Sequence, residues 1–379
     1  MRSNSAHRAR RTATRAVFLL LLLVSLLSGL AGGLVRAGAG FPGVTGAWLG
    51  PAVAAHAFLM ICTFMGTVIG IERAVAVKHP LSFAGPVTSA GAGLAVLMHY
   101  EVIAYWLVVA ASLAFVAVNV AVVRRQWAAH TVLLLVAAGA WAVGSLLHAL
   151  GFSAGAVIPW WFSFLVLTIA AERLEMTRLM RRRAAASYAL YGVFVAMLLG
   201  AAASAPSVRW GGLLFGLSLA LLSIWLLAFD IARRTIRTQG LSRYMAVCLL
   251  LGYLWLLVAG LAWMGSAWGL PLRDAALHGL ALGFVFSMML AHAPVILPAI
   301  ARVKVLYGWP YYIPLLLLHS SLAVRLFRST EDFRALTIGA TGNGLAIVLF
   351  AATVAGSAIA WRVKYSTSTH QHHGVTAEH

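Results

Sequence analysis

Six of the thirteen histidines lie within long apolar runs: His56, His99, His148, His278, His292 and His319. A polar ring in such a run is unfavourable in hydrocarbon unless it finds a partner. Neutral imidazole is also a ready ligand for metal ions and for haem iron. These six residues are therefore the candidates for chemistry. The plainer reading is that each ring makes a hydrogen bond between helices. His99 and His148, near the ends of their runs, could equally face interfacial water. His7, His79 and His130 fall in polar connections, and His370, His372, His373 and His379 fall in a polar C-terminal stretch.

The elements that must position these rings are membrane helices. Of the 379 residues, 62% are hydrophobic and 10% charged, with mean hydropathy +0.92. Soluble domains carry about 25% charged residues, so the composition excludes an ordinary soluble globule. About twelve runs approach the roughly 20 residues that cross a bilayer as a helix. They lie near 16–35, 52–71, 81–99, 101–123, 131–151, 157–175, 187–204, 210–230, 244–265, 275–300, 311–327 and 335–361. The expected fold is all-α, a polytopic membrane helix bundle. It forms a single integral membrane domain over 1–364, followed by a flexible, His-containing tail over 365–379. The first run is longer than the apolar core of a signal peptide and is expected to be retained. The third is the weakest, being rich in Gly and Ala and containing Pro86.

Charge placement gives the orientation. Net charge is +19, but the charges cluster between apolar runs, which argues for membrane loops and against nucleic-acid binding. Six of the 28 Lys and Arg residues fall in alternate connections: Arg36, Arg209, Arg273, Arg325, Arg328 and Arg334. The rest flank the other set, which is expected to face the cytoplasm with both termini. The expected location is the inner (plasma) membrane. In this frame His56, His99, His148 and His278 share a layer near the outer face. His292 lies about 21 Å deeper than His278 along the same helix.

Four imidazoles in one layer suit a histidine-ligated haem or metal. A flat macrocycle fits between helices and takes two axial imidazoles. Arg325 and Arg328, at the outer end of the eleventh span, could meet haem propionates, and snorkelling is the alternative for both. His99 and His148 are candidates for a second metal, copper or zinc. Cys62 and Cys248 both lie in apolar runs and are expected to be buried thiols without a disulfide.

Two stretches resemble subunit I of the haem-copper oxidases. Ala55-His56-Ala57-Phe58-Leu59-Met60, followed by Gly66 and Gly70, is similar to that fold's second helix. His278-Gly279-Leu280-Ala281-Leu282-Gly283-Phe284 is similar to its tenth. The resemblance implies that His56 and His278 are the axial ligands of a low-spin haem b, with Arg325 and Arg328 at its propionates. The runs read as sixth and seventh spans lack the histidines that hold the oxidase copper, so that centre is absent in its usual form. The chain looks closer to the NnrS family, divergent twelve-helix relatives associated with haem, copper and the nitric oxide response. Segments 278–298 and 315–325 are similar to that family's C-terminal half. The resemblance implies a role in nitric oxide or redox stress and an electron-transfer or respiratory partner protein.

Other signals carry less. Glu72, Glu172, Glu175 and Asp230 lie near inner span ends beside basic residues and are expected to form local ion pairs, not a proton channel. Pro294 and Pro298 are expected to kink or end the tenth helix. Trp160 and Trp161 read as interfacial anchors. No phosphate-binding loop or nucleophile elbow occurs in a credible context. Two further readings stand beside the haem protein: a cofactor-free transporter or channel, and a non-catalytic subunit of a respiratory complex.

Overall fold

A computed structural model describes the backbone of residues 2–40, 46–177, 184–301, 303–328 and 332–373. Its side chains are described within 17–40, 46–177, 184–298, 303–327 and 332–365. The described residues form helices and short connections, with no strand. Backbone groups in hydrocarbon must bond within their own segment, and helices satisfy that need locally.

Eleven helices among the described residues are long and apolar enough to cross a membrane. A further 17-residue helix, Tyr312–Arg328, occupies the run expected as the eleventh span. The all-α, polytopic helix bundle is thus established. Most described ends fall close to those expected, but the second span continues to Val77, past its expected end near 71. The weak third run is a real helix, with a short 3-10 turn at Pro80–Phe83 leading into Ala84–Leu97. Pro86 is tolerated because it stands in the first turn, where its missing N–H has no intrahelical acceptor to lose. The helix Ser287–Ala301 runs through both Pro294 and Pro298 instead of ending at them. The last helix continues from Phe333 to His373, past the expected end of the span, and residues 374–379 lie outside the described residues.

The chain divides into two compact units, Met1–Ser218 and Leu219–His379. The division falls within the eighth span, Val208–Phe229, where no change in composition marks it.

In the first unit small residues set the packing, as they do where lipid is as apolar as the helix surface. A Cβ on Gly93 would come within 2.5 Å of Ser25 Oγ, and one on Gly66 within 2.6 Å of the Trp141 ring. The third span is also tied to the second by hydrogen bonds. Ser89 Oγ donates to the Cys62 carbonyl at 2.7 Å, and Thr67 Oγ1 donates to Ser89 Oγ at 3.1 Å. The sixth span, Ala154–Met176, is the most buried of the eleven. Its Phe164 stacks on Trp141 at 4.9 Å, a contact of about 1 kcal/mol beyond area burial. At the other end of this unit Arg73 lies 3.6 Å from Glu72 and 3.8 Å from Glu172. These are the local ion pairs expected there. His130, expected in a connection, is instead buried at the start of the helix Ala129–Ala149.

In the second unit the helix Tyr312–Arg328 packs closely on the last helix. A Cβ on Gly339 would come within 2.5 Å of Arg325 Cβ, and one on Gly342 within 2.5 Å of Ser321 Cβ. Asn343 Nδ2 donates to Ser321 Oγ at 2.7 Å and to the Leu318 carbonyl at 3.2 Å. Cys62 and Cys248 are both free and buried, as expected.

Candidate functional site

His56 and His278 stand at matching breaks in their helices. In the second span an α-helical turn, Leu49–Ala54, ends just before His56, and a π-helix, Phe58–Met65, begins two residues after it. In the tenth span the α-helix Arg273–His278 ends at His278, and a π-helix, Gly279–Phe286, follows at once. A π-segment inside a membrane helix turns the side chains before it relative to those after it, and such segments are frequent at functional sites.

The His56 ring is held by the first span. Its Nδ1 donates to the Gly29 carbonyl at 2.6 Å. A carbonyl only accepts, so Nδ1 carries the proton and Nε2 is the lone-pair nitrogen of the neutral ring. Gly33 gives the ring its space, since a Cβ there would meet His56 Cε1 at 2.5 Å. Two glycines four residues apart thus form the wall against which His56 lies.

The His278 ring is held by charges. Its Nδ1 lies 2.8 Å from Asp274 Oδ1, one turn earlier on the same helix. Asp274 also takes a two-pronged pair from Arg325, with Nε to Oδ2 at 2.9 Å and Nη2 to Oδ1 at 2.8 Å. Nη2 of Arg325 further stands 3.1 Å from His278 Nδ1 and 3.2 Å from Nε2. A carboxylate only accepts and a guanidinium only donates, so Nδ1 carries the proton and Nε2 accepts. Arg325 is 7% exposed, and its charge is met by Asp274. The Arg328 side chain lies outside the described residues.

The remaining histidines have different surroundings. His99 is exposed after the third span, in the left-handed region at φ 65°, and its Nε2 donates to the Ala47 carbonyl at 3.0 Å. His148 is enclosed by Tyr105, Trp161 and Phe58, with ring centroids 4.2, 5.0 and 5.7 Å away. Its Nε2 is buried without a hydrogen-bond partner. Trp161, expected as an interfacial anchor, is 3% exposed and serves as one wall of this aromatic enclosure. Among the described residues no three His, Cys, Asp or Glu side chains converge to hold a metal ion.

His319 is a connector. Trp255 Nε1 donates to its Nδ1 at 2.8 Å. Its Nε2 lies 3.4 Å from Ser287 Oγ, which donates to the Gly283 carbonyl at 2.6 Å. The relay ends on the π-helix that follows His278. His292 Nδ1 donates to the Met288 carbonyl at 2.7 Å, one turn back.

Sequence reasoning missed Asp274, Gly29, Gly33 and Trp255. The four-residue spacing of Asp274 and His278 was the one local signal, because it places both on one helix face. The Gly29–Gly33 spacing was a weaker one. Trp255 lies 64 residues from His319 and left no local trace.

No curated protein and no solved structure matches the chain significantly. The model of one family matches residues 15–359, which include every candidate histidine from His56 to His319. The chain belongs to that family, described as "Domain of unknown function (DUF8744)".

Proposed function

We propose that this chain is a haem-binding integral membrane protein in which His56 and His278 are the imidazoles that ligate iron. The observation that carries the reading is the tautomer of His56, whose Nδ1–H is committed to the Gly29 carbonyl. Imidazoles that ligate metal commonly give their other N–H to a carbonyl or a carboxylate, which fixes the ring and raises its basicity. His278 has the carboxylate form of that support in Asp274. Its Nε2 would serve as the ligand, in place of the contact it now makes with Arg325 at 3.2 Å. A π-helix follows both residues, and His292 has no such segment after it.

Two neutral imidazoles are the donors that a b-type haem takes. Two imidazoles would give a six-coordinate iron that carries one electron and takes up gases poorly until a ligand leaves. The chain's own part is to hold both rings in one tautomer and to keep Arg325 beside His278. Copper finds no comparable support. His99 is committed to Ala47, and His148 is walled by aromatic rings. The role in nitric oxide or redox stress, the plasma-membrane location with both termini in the cytoplasm, and a respiratory or electron-transfer partner complete the proposal. They rest on the resemblance and the charge distribution.

The test is an absorption spectrum of protein purified from haem-replete cells. A Soret band with sharp α and β bands on reduction is expected. His56→Ala and His278→Ala should each abolish the low-spin bands, while His292→Ala and His319→Ala should leave them. A colourless preparation, or unchanged bands in His56→Ala, overturns the reading.

A further inference from the structure

The connection between the tenth and eleventh helices carries a feature independent of the histidines. Residues 303–308 form no helix, yet the segment is fixed in place. The Leu306 N–H donates to the Ser357 carbonyl at 3.2 Å, and the Tyr311 hydroxyl bonds Ser357 Oγ at 2.8 Å. On the other side, Tyr244 packs its ring against Tyr307, Tyr311 and Tyr312 at 5.7, 5.7 and 5.2 Å.

Three exposed cations border this fixed segment. Lys304 lies on it, with its Nζ 5.0 Å from the centroid of the Trp361 ring. Arg243 precedes Tyr244, and Arg362 follows Trp361. Among the described residues no carboxylate pairs with any of the three. Asp230, the nearest acid in the sequence to Arg243, accepts from the Ala232 N–H at 2.8 Å. Burial pushes the Tyr307 phenol up, so it adds no negative charge.

Depth is marked by aromatic residues. Trp309 is 74% exposed at the start of the eleventh helix, two residues before Tyr311 of the tyrosine cluster. Exposed Trp with neighbouring Tyr is the composition of the membrane–water boundary, where lipid phosphates lie. Cations held at that level meet phosphate, and the charge distribution assigns this end of the helices to the cytoplasmic leaflet.

We propose that Lys304, Arg243 and Arg362 form a binding site for the phosphate of an anionic glycerophospholipid. Trp361 underlies Lys304, and Tyr244, next to Arg243, packs on Tyr307 of the 303–308 segment. The lipid is retained because Lys304 is held on a fixed segment and Arg243 and Arg362 are held on helices, whereas mobile loop charges would attract anionic lipid only diffusely.

Native mass spectrometry of the full chain, extracted from nanodiscs of phosphatidylcholine and phosphatidylglycerol, tests this. Wild type should keep phosphatidylglycerol in preference to phosphatidylcholine. At about 1 kcal/mol per cation near the surface, Lys304→Gln and Arg243→Gln should each lower that retention about fivefold. Lys304→Arg should keep it. Arg209→Gln, which removes a cation stacked on Trp210 in the first unit, should not change it. Equal retention in wild type and Lys304→Gln overturns the proposal. So does the same loss in Arg209→Gln, or displacement of the lipid by inorganic phosphate at matched concentration, which would mean a free-anion site.

Discussion

Nδ1 of His278 lies 2.8 Å from Oδ1 of Asp274, and the same oxygen lies 2.8 Å from Nη2 of Arg325. One carboxylate oxygen thus joins an imidazole to a buried guanidinium. Removing the carboxylate charge leaves Arg325 unmatched at 7% exposure. A fully buried pair broken on one side costs about 3–5 kcal/mol. The Asp274 side chain is 36% exposed, so solvent screening lowers the expected loss to about 1–2 kcal/mol. Asp274→Asn should therefore lower the melting temperature in detergent. Adding Arg325→Met should recover part of the loss, because the unmatched charge is then gone. A double variant as unstable as the sum of the singles would show that the two residues are not coupled.

Gly339 gives a second way to reach the same group. A Cβ there would press on Arg325 Cβ at 2.5 Å and on its backbone at 2.6 Å, neither of which is a flexible tip. Gly339→Val should shift Arg325 away from Asp274 and destabilise the protein by about 1–3 kcal/mol, the range for overpacking. Thermal unfolding beside Gly356→Val, where a Cβ meets nothing within 4 Å, gives the comparison. Equal melting temperatures would refute the close approach.

The two glycines beside His56 should differ in their tolerance. A Cβ on Gly33 meets the imidazole itself at 2.5 Å, whereas one on Gly29 meets Met60 Sδ at 2.8 Å. A methionine side chain can swing aside, but a ring held by a hydrogen bond cannot do so without losing the bond. Gly33→Ala should destabilise more than Gly29→Ala. In the haem reading, Gly33→Ala should also weaken the low-spin bands while Gly29→Ala leaves them. The opposite order would mean that His56 is not held against the first span.

The spans were legible because runs of about 20 apolar residues have few fates other than crossing a membrane. The breaks around His56 and His278 were not. Nothing in Phe58–Met65 or Gly279–Phe286 separates a π-helix from an α-helix, since both bury the same apolar residues and differ by one hydrogen-bond register. The histidines stood out by type, but their partners did not. Arg325 is 51 residues from Asp274, and its position at a helix end suited propionate binding or snorkelling as well as it suited an ion pair. Gly29 and Gly33 were hidden in an apolar run where small residues are common. The boundary at Ser218 and Leu219 falls within one continuous span, so hydropathy could not reveal it.

Orientation is testable by fusion. A reporter joined after Lys364 should read as cytoplasmic, and one inserted next to Asp332 should read as external, from the bias of Lys and Arg between alternate connections. The reverse result at either site would overturn the expected orientation and the leaflet proposed for Lys304.

His148 offers the clearest contrast between a satisfied and an unsatisfied ring. Its Nε2 is buried with no hydrogen-bond partner, and three aromatic rings surround it. A buried polar atom that makes no bond contributes only its desolvation penalty, so replacing the ring by an apolar one of similar size should not be harmful. His148→Phe should leave the melting temperature unchanged or raise it, by about 0–1 kcal/mol in stability. Trp255→Phe is the opposite case. It removes the donor to His319 Nδ1 and interrupts a relay that ends on the Gly283 carbonyl, and should cost about 0.5–2 kcal/mol. Thermal unfolding of both variants, with elemental analysis of each, decides the matter. If His148→Phe loses more than Trp255→Phe, Nε2 has a partner after all. Loss of a stoichiometric metal from that variant would then identify the partner as a metal ion.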